Sequence, residues 1–202
     1  MAQKIDITSE GADTLWSLAK SLDQSNADNQ AEVRRLGTAL DKNRPGLGYL
    51  TGQVEQVLSQ AAAAAIKGRD ASHMLSRKSM EMANWIAGKV GIPPQAISQT
   101  GDVSIEKWRQ PMENGKYGQL DLVALQEMRK AVKRYEEIIA VNVEKMKKAG
   151  DLCRTNMRSD KISVNMCDEL DKACGLFKQS VDDAAGLVKK LDQEIVDIQN
   201  RV

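Results

Sequence analysis

Aromatic residues are scarce in this chain, which has 3 Trp, 3 Tyr and 1 Phe among its 202 residues. Aromatic and β-branched side chains are the ones that favour β-strands. The chain is rich instead in Ala, Leu, Lys, Glu, Gln and Met, which lose the least free energy on entering a helix. The composition therefore predicts an all-α fold, and the length allows one domain or two small ones.

An excess of charge of one sign is also lacking, because 29 Lys and Arg residues balance 28 Asp and Glu residues to a net charge of +1. A nucleic-acid-binding protein would carry a strong basic excess. The chain also lacks a run of about 18 apolar residues, which a membrane-spanning helix would need. The sequence thus predicts neither a nucleic-acid partner nor a membrane span.

Cysteine pairs are missing as well. The three cysteines, Cys153, Cys167 and Cys174, form no Cys-x-x-Cys motif. Cys167 and Cys174 are separated by about 10 Å along a helix, which is too far for a disulfide between them. All three fall on or near apolar stripes, where cysteine behaves as a small hydrophobic residue. We therefore expect reduced, structural thiols, as in a cytoplasm.

Sets of residues that carry catalysis or bind metals do not occur in the sequence. The only histidine is His73, and no Glu-x-x-His motif of a di-iron bundle is present. The Gly46-Leu47-Gly48 triplet lacks the rest of a nucleotide-binding fingerprint and has no strand before it. The sequence therefore predicts no enzymatic activity, no metal site and no cofactor.

Apolar stripes at helical spacing are the strongest feature that is present. Alternating steps of three and four keep side chains on one seam of a helix that packs lengthwise on a partner helix. The first stripe, named the α3 seam here, is Leu125, Met128, Val132, Tyr135, Ile139, Asn142, Met146, Ala149 and Cys153. The second is Ala173, Phe177, Ala184, Leu187, Leu191 and Ile198, flanked by Val181, Val188, Ile195 and Val202. They predict an antiparallel hairpin in which polar Asn142 sets the register.

Four helices are predicted along the chain. They run from about Ser9 to Asp41, from about Leu47 to Val90, from near Asp121 to residues 156–159, and from Asp160 to the end. Ser9, Asp121 and Asp160 are the predicted N-caps. The stripes imply arms of about 35–40 residues for the last two helices.

The predicted fold is an elongated bundle of two long antiparallel helical hairpins. Residues 1–90 form the N-terminal hairpin and residues 119–202 form the C-terminal hairpin. Residues 91–118 connect them and contain the prolines and glycines that stop a helix. We expect Trp108 to anchor this connecting segment on the bundle, from a short helix within residues 104–109.

The apolar stripes of the N-terminal hairpin are sparse and rich in small residues, and in the first helix the stripe position falls on Ser25 and Asn29. Such a polar middle either weakens the seam or faces water. Two interpretations stay open: a partner's hairpin completes the stripes, or the last two helices do so in one four-helix bundle. The candidate partner-binding residues are Leu18, Leu22, Val33, Leu36, Leu50, Gly52, Val54 and Val57.

Several short motifs surround the break between the first two helices. A polar-apolar lead, Lys4-Ile5-Asp6-Ile7, enters the first helix, and the break contains Leu50-Thr51-Gly52, a Leu-x-Gly motif. In these features the N-terminal hairpin resembles the WXG100/ESAT-6 superfamily of type VII secretion substrates, and its LXG branch in particular. The Trp-x-Gly form is absent. Residues Tyr117 to Asp121 fit the family's Tyr-x-x-x-Asp/Glu export motif, although they lie before the third helix.

The resemblance implies a helical secretion-targeting module without enzymatic activity. It would bind a small helical WXG100-like protein or a secretion chaperone and be exported by a type VII system of a Gram-positive bacterium. It would be made in the cytoplasm without a cleavable signal peptide, and the N-terminus has no apolar signal core. The chain would be either the targeting region alone or an accessory partner itself.

The long C-terminal arms support an alternative function. They are typical of a self-assembling structural protein or coiled-coil scaffold of a bacterial secretion or surface assembly. A homodimer is a further candidate assembly.

Overall fold

Four long α-helices dominate the computed structural model, which describes residues 4–97, 102–109, 119–157 and 161–202. The helices are α1 (Ser9–Asn43), α2 (Thr51–Val90), α3 (Leu122–Met157) and α4 (Lys161–Arg201). Over these residues there is no β-strand, and the one β-type pairing is an isolated bridge between Leu47 and Leu120. The all-α class is confirmed, and the 36 and 41 residues of α3 and α4 agree with the predicted arms.

The predicted helix caps are in part corrected. The amide of Gly11 donates to Thr8 Oγ1 at 3.1 Å, so Thr8 caps α1 and the prediction of Ser9 is wrong by one residue. The amide of Ala124 donates to Asp121 Oδ1 at 2.9 Å, which confirms Asp121 as the N-cap of α3. The predicted cap Asp160 lies outside the described residues.

The connection between α1 and α2 differs from the prediction, since α2 begins at Thr51 rather than near Leu47. Two short 3₁₀ turns, Arg44–Gly46 and Gly48–Leu50, precede it. Gly48 has φ +49°, a left-handed conformation that glycine adopts without the strain of other residues. A helix cannot run through such a residue, so α2 starts after it.

Two compact units make up the chain. The first unit consists of Met1–Asp28, Lys67–Asp102 and Asn142–Cys174, and the second of Asn29–Ile66, Val103–Val141 and Gly175–Val202. Each unit contains a segment of all four helices. The units therefore do not follow the boundaries predicted near residues 90 and 118, because within each unit the two hairpins contribute to a common fold.

The apolar stripes form the cores of the units. Every position of the α3 seam is buried, including Asn142. On α4 the stripe is buried from Ala173 to Leu191 and Ile198 is half-buried, whereas Val202, which follows the helix, is exposed. The periodicity of the sequence thus identifies the inward face of both helices.

Candidate interaction site on the N-terminal hairpin

The Leu-x-Gly motif lies at the junction between α1 and α2. Leu50 ends the second 3₁₀ turn and is fully buried, while Thr51 and Gly52 open α2. The hydroxyl of Thr51 donates to the carbonyl oxygen of Gly48 at 2.8 Å, and the amide of Leu50 donates to that of Leu47 at 3.0 Å. These bonds fix the turn and point Leu50 inward.

The turn is also bound to other elements of the second unit. The amide of Asp121 donates to the carbonyl oxygen of Gly46 at 2.8 Å. The hydroxyl of Tyr49 is hydrogen-bonded to the carboxylate of Glu194 on α4, and this bond raises the pKa of Tyr49. Tyr49 nevertheless leaves 54% of its surface exposed. The turn therefore buries Leu50 and presents Tyr49 to solvent.

The candidate partner-binding residues are largely covered by the chain itself. Gly52 is half-buried, and the others are buried: Leu18, Leu22, Val33, Leu36, Leu50, Val54 and Val57. The chain itself therefore buries these side chains, within units that each contain segments of all four helices. Binding of a partner by these side chains stays a prediction, and it would require the bundle to open.

Of the two candidate export-motif residues, Tyr117 and Asp121, only Asp121 is among the described residues, and Tyr117 lies outside them. Asp121 accepts a hydrogen bond from the Ala124 amide. Its Cβ also lies close to Gly46, since a Cβ atom added to Gly46 would be 2.8 Å from it. Asp121 therefore has a structural role as a helix cap, and its role in export stays a prediction.

Residues 103–109, which we call the strap, pack on the N-terminal hairpin in the second unit. Glu106–Trp108 form a single 3₁₀ turn, and both Ile105 and Trp108 are buried. Trp108 lies against Gly37 of α1, so closely that a Cβ atom there would be 2.2 Å from its ring. This confirms the prediction that Trp108 anchors the connecting segment.

Polar contacts hold the strap on both helices of the hairpin. The amide of Val103 donates to Gln30 Oε1 of α1 at 3.3 Å, and Lys107 Nζ lies 3.6 Å from Asp41 Oδ2. The hydroxyl of Ser59 on α2 donates to the carbonyl oxygen of Arg109. The strap therefore bridges α1 and α2, and we call the surface of these two helices beneath it the α1–α2 groove.

A second, open groove of about 530 Å³ runs beside the strap. Its lining residues are Ala31, Arg34, Arg35, Thr38, Ala39, Lys42, Asn43, Val103 and Glu127. Two of its cations are already paired, Arg35 with Glu32 at 2.6 Å and Lys42 with Glu127 at 3.1 Å. The groove thus offers mixed polarity rather than a strong anion site.

The thiols of the chain are buried and chemically quiet. Burial raises the pKa of Cys153 and of Cys174 to about 12, and it also raises the pKa of Cys167. All three cysteines are free. In the described ranges, no group of three or more His, Cys, Asp and Glu side chains is placed to hold a metal ion.

A layer of buried polar residues lies in the first unit, and the sequence predicted only the part of it on α1. Ser25 and Asn26 of α1 are buried, as are Ser72 and Ser76 of α2, so the polar middle of α1 interrupts the seam rather than facing water. The hydroxyl of Ser76 donates to the carbonyl oxygen of Ala19 at 3.2 Å. Polar residues at stripe positions of α1 indicated this layer in the sequence, but nothing in the sequence indicated that two serines of α2 are buried as well.

His73 and two carboxylates border this layer. His73 Nε2 lies 3.2 Å from Asn26 Nδ2 and 3.3 Å from Asp102 Oδ1. Desolvation raises the pKa of Asp23, and the electrostatic interaction with His73 opposes this shift. His73 is half-buried, since 18% of its side chain is exposed.

Comparison of the chain with protein-family models, curated proteins and solved structures finds no significant match. None of the helices in the described parts of the chain has an apolar stretch sufficient to cross a membrane. Membership of the WXG100 superfamily therefore stays a prediction from the residues of the N-terminal hairpin and its Leu-x-Gly turn.

Proposed function

We propose that this chain is a non-enzymatic helical module for type VII secretion, and that its N-terminal hairpin binds a small helical partner of the WXG100 kind. The position of Leu50-Thr51-Gly52 carries the proposal, since the motif joins two helices of 35 and 40 residues. The hairpin is also internally bonded, because Trp16 Nε1 donates to Asn84 Oδ1 at 3.0 Å.

The energetics of the core decide which surface of the hairpin is available. Each fully buried Leu or Val stabilises a fold by about 1.5–3 kcal/mol, and a whole domain is stable by about 5–15 kcal/mol. Exposing Leu22, Leu36 and Leu50 together with their neighbours would therefore remove most of the stability. We accordingly assign partner binding by the folded chain to the outer side of the hairpin, near Tyr49 and the strap.

Co-expression with a small helical protein encoded by a neighbouring gene tests the proposal. We expect the two proteins to co-purify and to form a complex of defined mass in size-exclusion chromatography with light scattering. Tyr49→Ala should weaken the complex, because Tyr49 is the exposed aromatic side chain of the turn. Trp85→Ala is the matched control, since Trp85 is equally exposed, at 54%, but lies in the first unit.

Two outcomes would count against the proposal. Absence of secretion genes from the genome neighbourhood would remove its biological setting. A homo-oligomer whose mass grows with concentration, with no small partner, would favour the self-assembling scaffold instead.

A further inference from the structure

We propose that the strap is a displaceable internal ligand, and that the α1–α2 groove beneath it is a docking site for a partner segment of the same chemistry. Such a segment carries an aliphatic residue at the position of Ile105, a basic residue at the position of Lys107 and a tryptophan at the position of Trp108. The proposal rests on the proposed function for the identity of the partner, but the groove and the strap are tested without it.

The groove is shaped for an indole ring at Gly37. A Cβ atom at this position would lie 2.2 to 2.5 Å from three ring atoms of Trp108. Real Cβ atoms do not approach other atoms so closely, so the absence of a side chain at Gly37 is what makes room for the ring. The notch selects a flat aromatic group that can lie directly on the helix backbone.

The strap presents its two anchors on one side. The amide of Trp108 donates to the carbonyl oxygen of Ile105 at 3.2 Å, which closes a 3₁₀ turn. Side chains three apart eclipse each other in a 3₁₀ helix, so Ile105 and Trp108 point the same way, and both are buried. A competing segment needs the same spacing to fill both positions.

A basic residue before the tryptophan completes the recognition. Lys107 Nζ lies 4.4 Å above the centroid of the Trp108 ring and 3.6 Å from Asp41 Oδ2 of α1. The lysine thus covers the outer face of the indole and pairs with an acidic residue at the rim of the groove. An acidic residue at this position of a partner segment would face Asp41 and be disfavoured.

The strap is held on the hairpin by few buried side chains. Its side chains buried against the hairpin include only the two large anchors, and the lysine–aspartate pair lies at exposed positions. Segments with few buried apolar contacts open at much lower free energy than the core. Displacing the strap leaves Leu36, Leu50 and Val54 in place, so the groove becomes accessible in a bundle that is still folded.

A fluorescently labelled synthetic peptide with the sequence of residues 102–109 tests the groove. We expect the peptide to bind the Trp108→Ala chain at least tenfold more tightly than the wild-type chain, whose own strap competes at high effective concentration. A peptide with alanine in place of tryptophan should not bind either chain. Equal binding of both peptides, or equal binding to both chains, would overturn the proposal.

Two further variants separate a filled groove from an unfolded chain. Adding Gly37→Leu to the Trp108→Ala chain should abolish peptide binding, because the leucine occupies the notch, while the helical circular dichroism signal stays unchanged. Trp85→Ala should leave the weak wild-type binding unchanged.

Hydrogen exchange adds a test on the wild-type chain: if the amides of Val103 and Trp108 exchange only on global unfolding, the strap is not displaceable and the proposal fails.

The peptide experiment and the co-purification experiment fail independently. If the peptide shows no preference for the Trp108→Ala chain, the groove assignment is overturned even when the helical partner co-purifies. If the peptide binds as expected and no partner co-purifies, the secretion proposal is overturned and the groove remains. If the partner binds but does not compete with the peptide, its docking site lies elsewhere and this inference is wrong.

Discussion

The hydroxyl group of Tyr135 on α3 lies 2.6 Å from Ser180 Oγ on α4, and both residues are fully buried in the second unit. Ser180 donates its own proton to the carbonyl oxygen of Phe177 at 2.7 Å, so Tyr135 is the donor to Ser180. Burial raises the pKa of Tyr135, which keeps the phenol protonated and able to donate. The two hydroxyls thus form one directed chain of hydrogen bonds inside an apolar core.

Removing either hydroxyl should destabilise the fold by different amounts. Tyr135→Phe should cost about 1 kcal/mol, because Ser180 keeps its bond to Phe177. Ser180→Ala should cost more, about 1–3 kcal/mol, because it leaves the Tyr135 hydroxyl buried without an acceptor. Urea denaturation of both single variants and the double variant measures this. Strict additivity in the double variant would show that the two hydroxyls do not interact.

The three thiols should be unreactive in the folded chain. With a pKa of about 12 for Cys153 and Cys174, about one thiol in ten thousand is ionised at pH 8. We therefore expect almost no reaction with a thiol-specific disulfide reagent under native conditions and full reaction of three thiols in guanidinium. Rapid labelling of a cysteine in the native chain would contradict its burial.

Asp23 should make stability depend on pH in a defined direction. Its pKa in the folded state is raised above the ordinary value of 3.8 by desolvation, so its protonated form contributes stability at low pH that is lost as the pH rises through the folded pKa. Asp23→Asn keeps the neutral form at every pH. The variant should therefore be more stable than the wild type at pH 7 and similar to it at pH 3.

Urea denaturation at both pH values checks the effect of Asp23. Asp13→Asn is the control, because Asp13 is an exposed carboxyl on the same helix. A gain in stability from Asp23→Asn that is equally large at pH 3 and pH 7 would rule out titration of this group as the cause.

Asp121 allows its capping role to be separated from a role in export. Asp121→Ala should cost about 1 kcal/mol of stability, because the Ala124 amide loses its acceptor. Asp121→Asn should cost less stability, because asparagine is an equally good N-cap. It removes only the negative charge of the side chain. If Asp121→Asn is exported as well as the wild type from a type VII-competent host, the acidic position of the candidate export motif is wrong.

Sequence alone was sufficient for features that repeat along a helix. The α3 seam has nine residues that indicate the same face of the helix, and all nine are buried. Single local events were less predictable. Thr8 and Ser9 are both good caps, and only the backbone path selects Thr8, while the positive φ of Gly48 moved the start of α2.

Features that join distant parts of the chain could not be predicted in full. Trp108 was identifiable as an anchor because it is a large aromatic residue in a segment that contains prolines and glycines. Its receptor, Gly37, is 71 positions earlier and carries no side chain that would mark it. The sparse stripe of the N-terminal hairpin likewise fits an internal or an external partner, and only tertiary structure distinguishes them.

The division of all four helices between two units has a consequence for synthesis on the ribosome. Neither unit is complete until part of α4 has emerged, since the first needs residues up to Cys174 and the second needs residues beyond Gly175. At about 5–20 residues per second, the apolar face of the N-terminal hairpin therefore waits on the order of ten seconds for its cover. During that interval the residues that later become inaccessible, such as Leu22 and Leu36, are open to any helical protein already present in the cell.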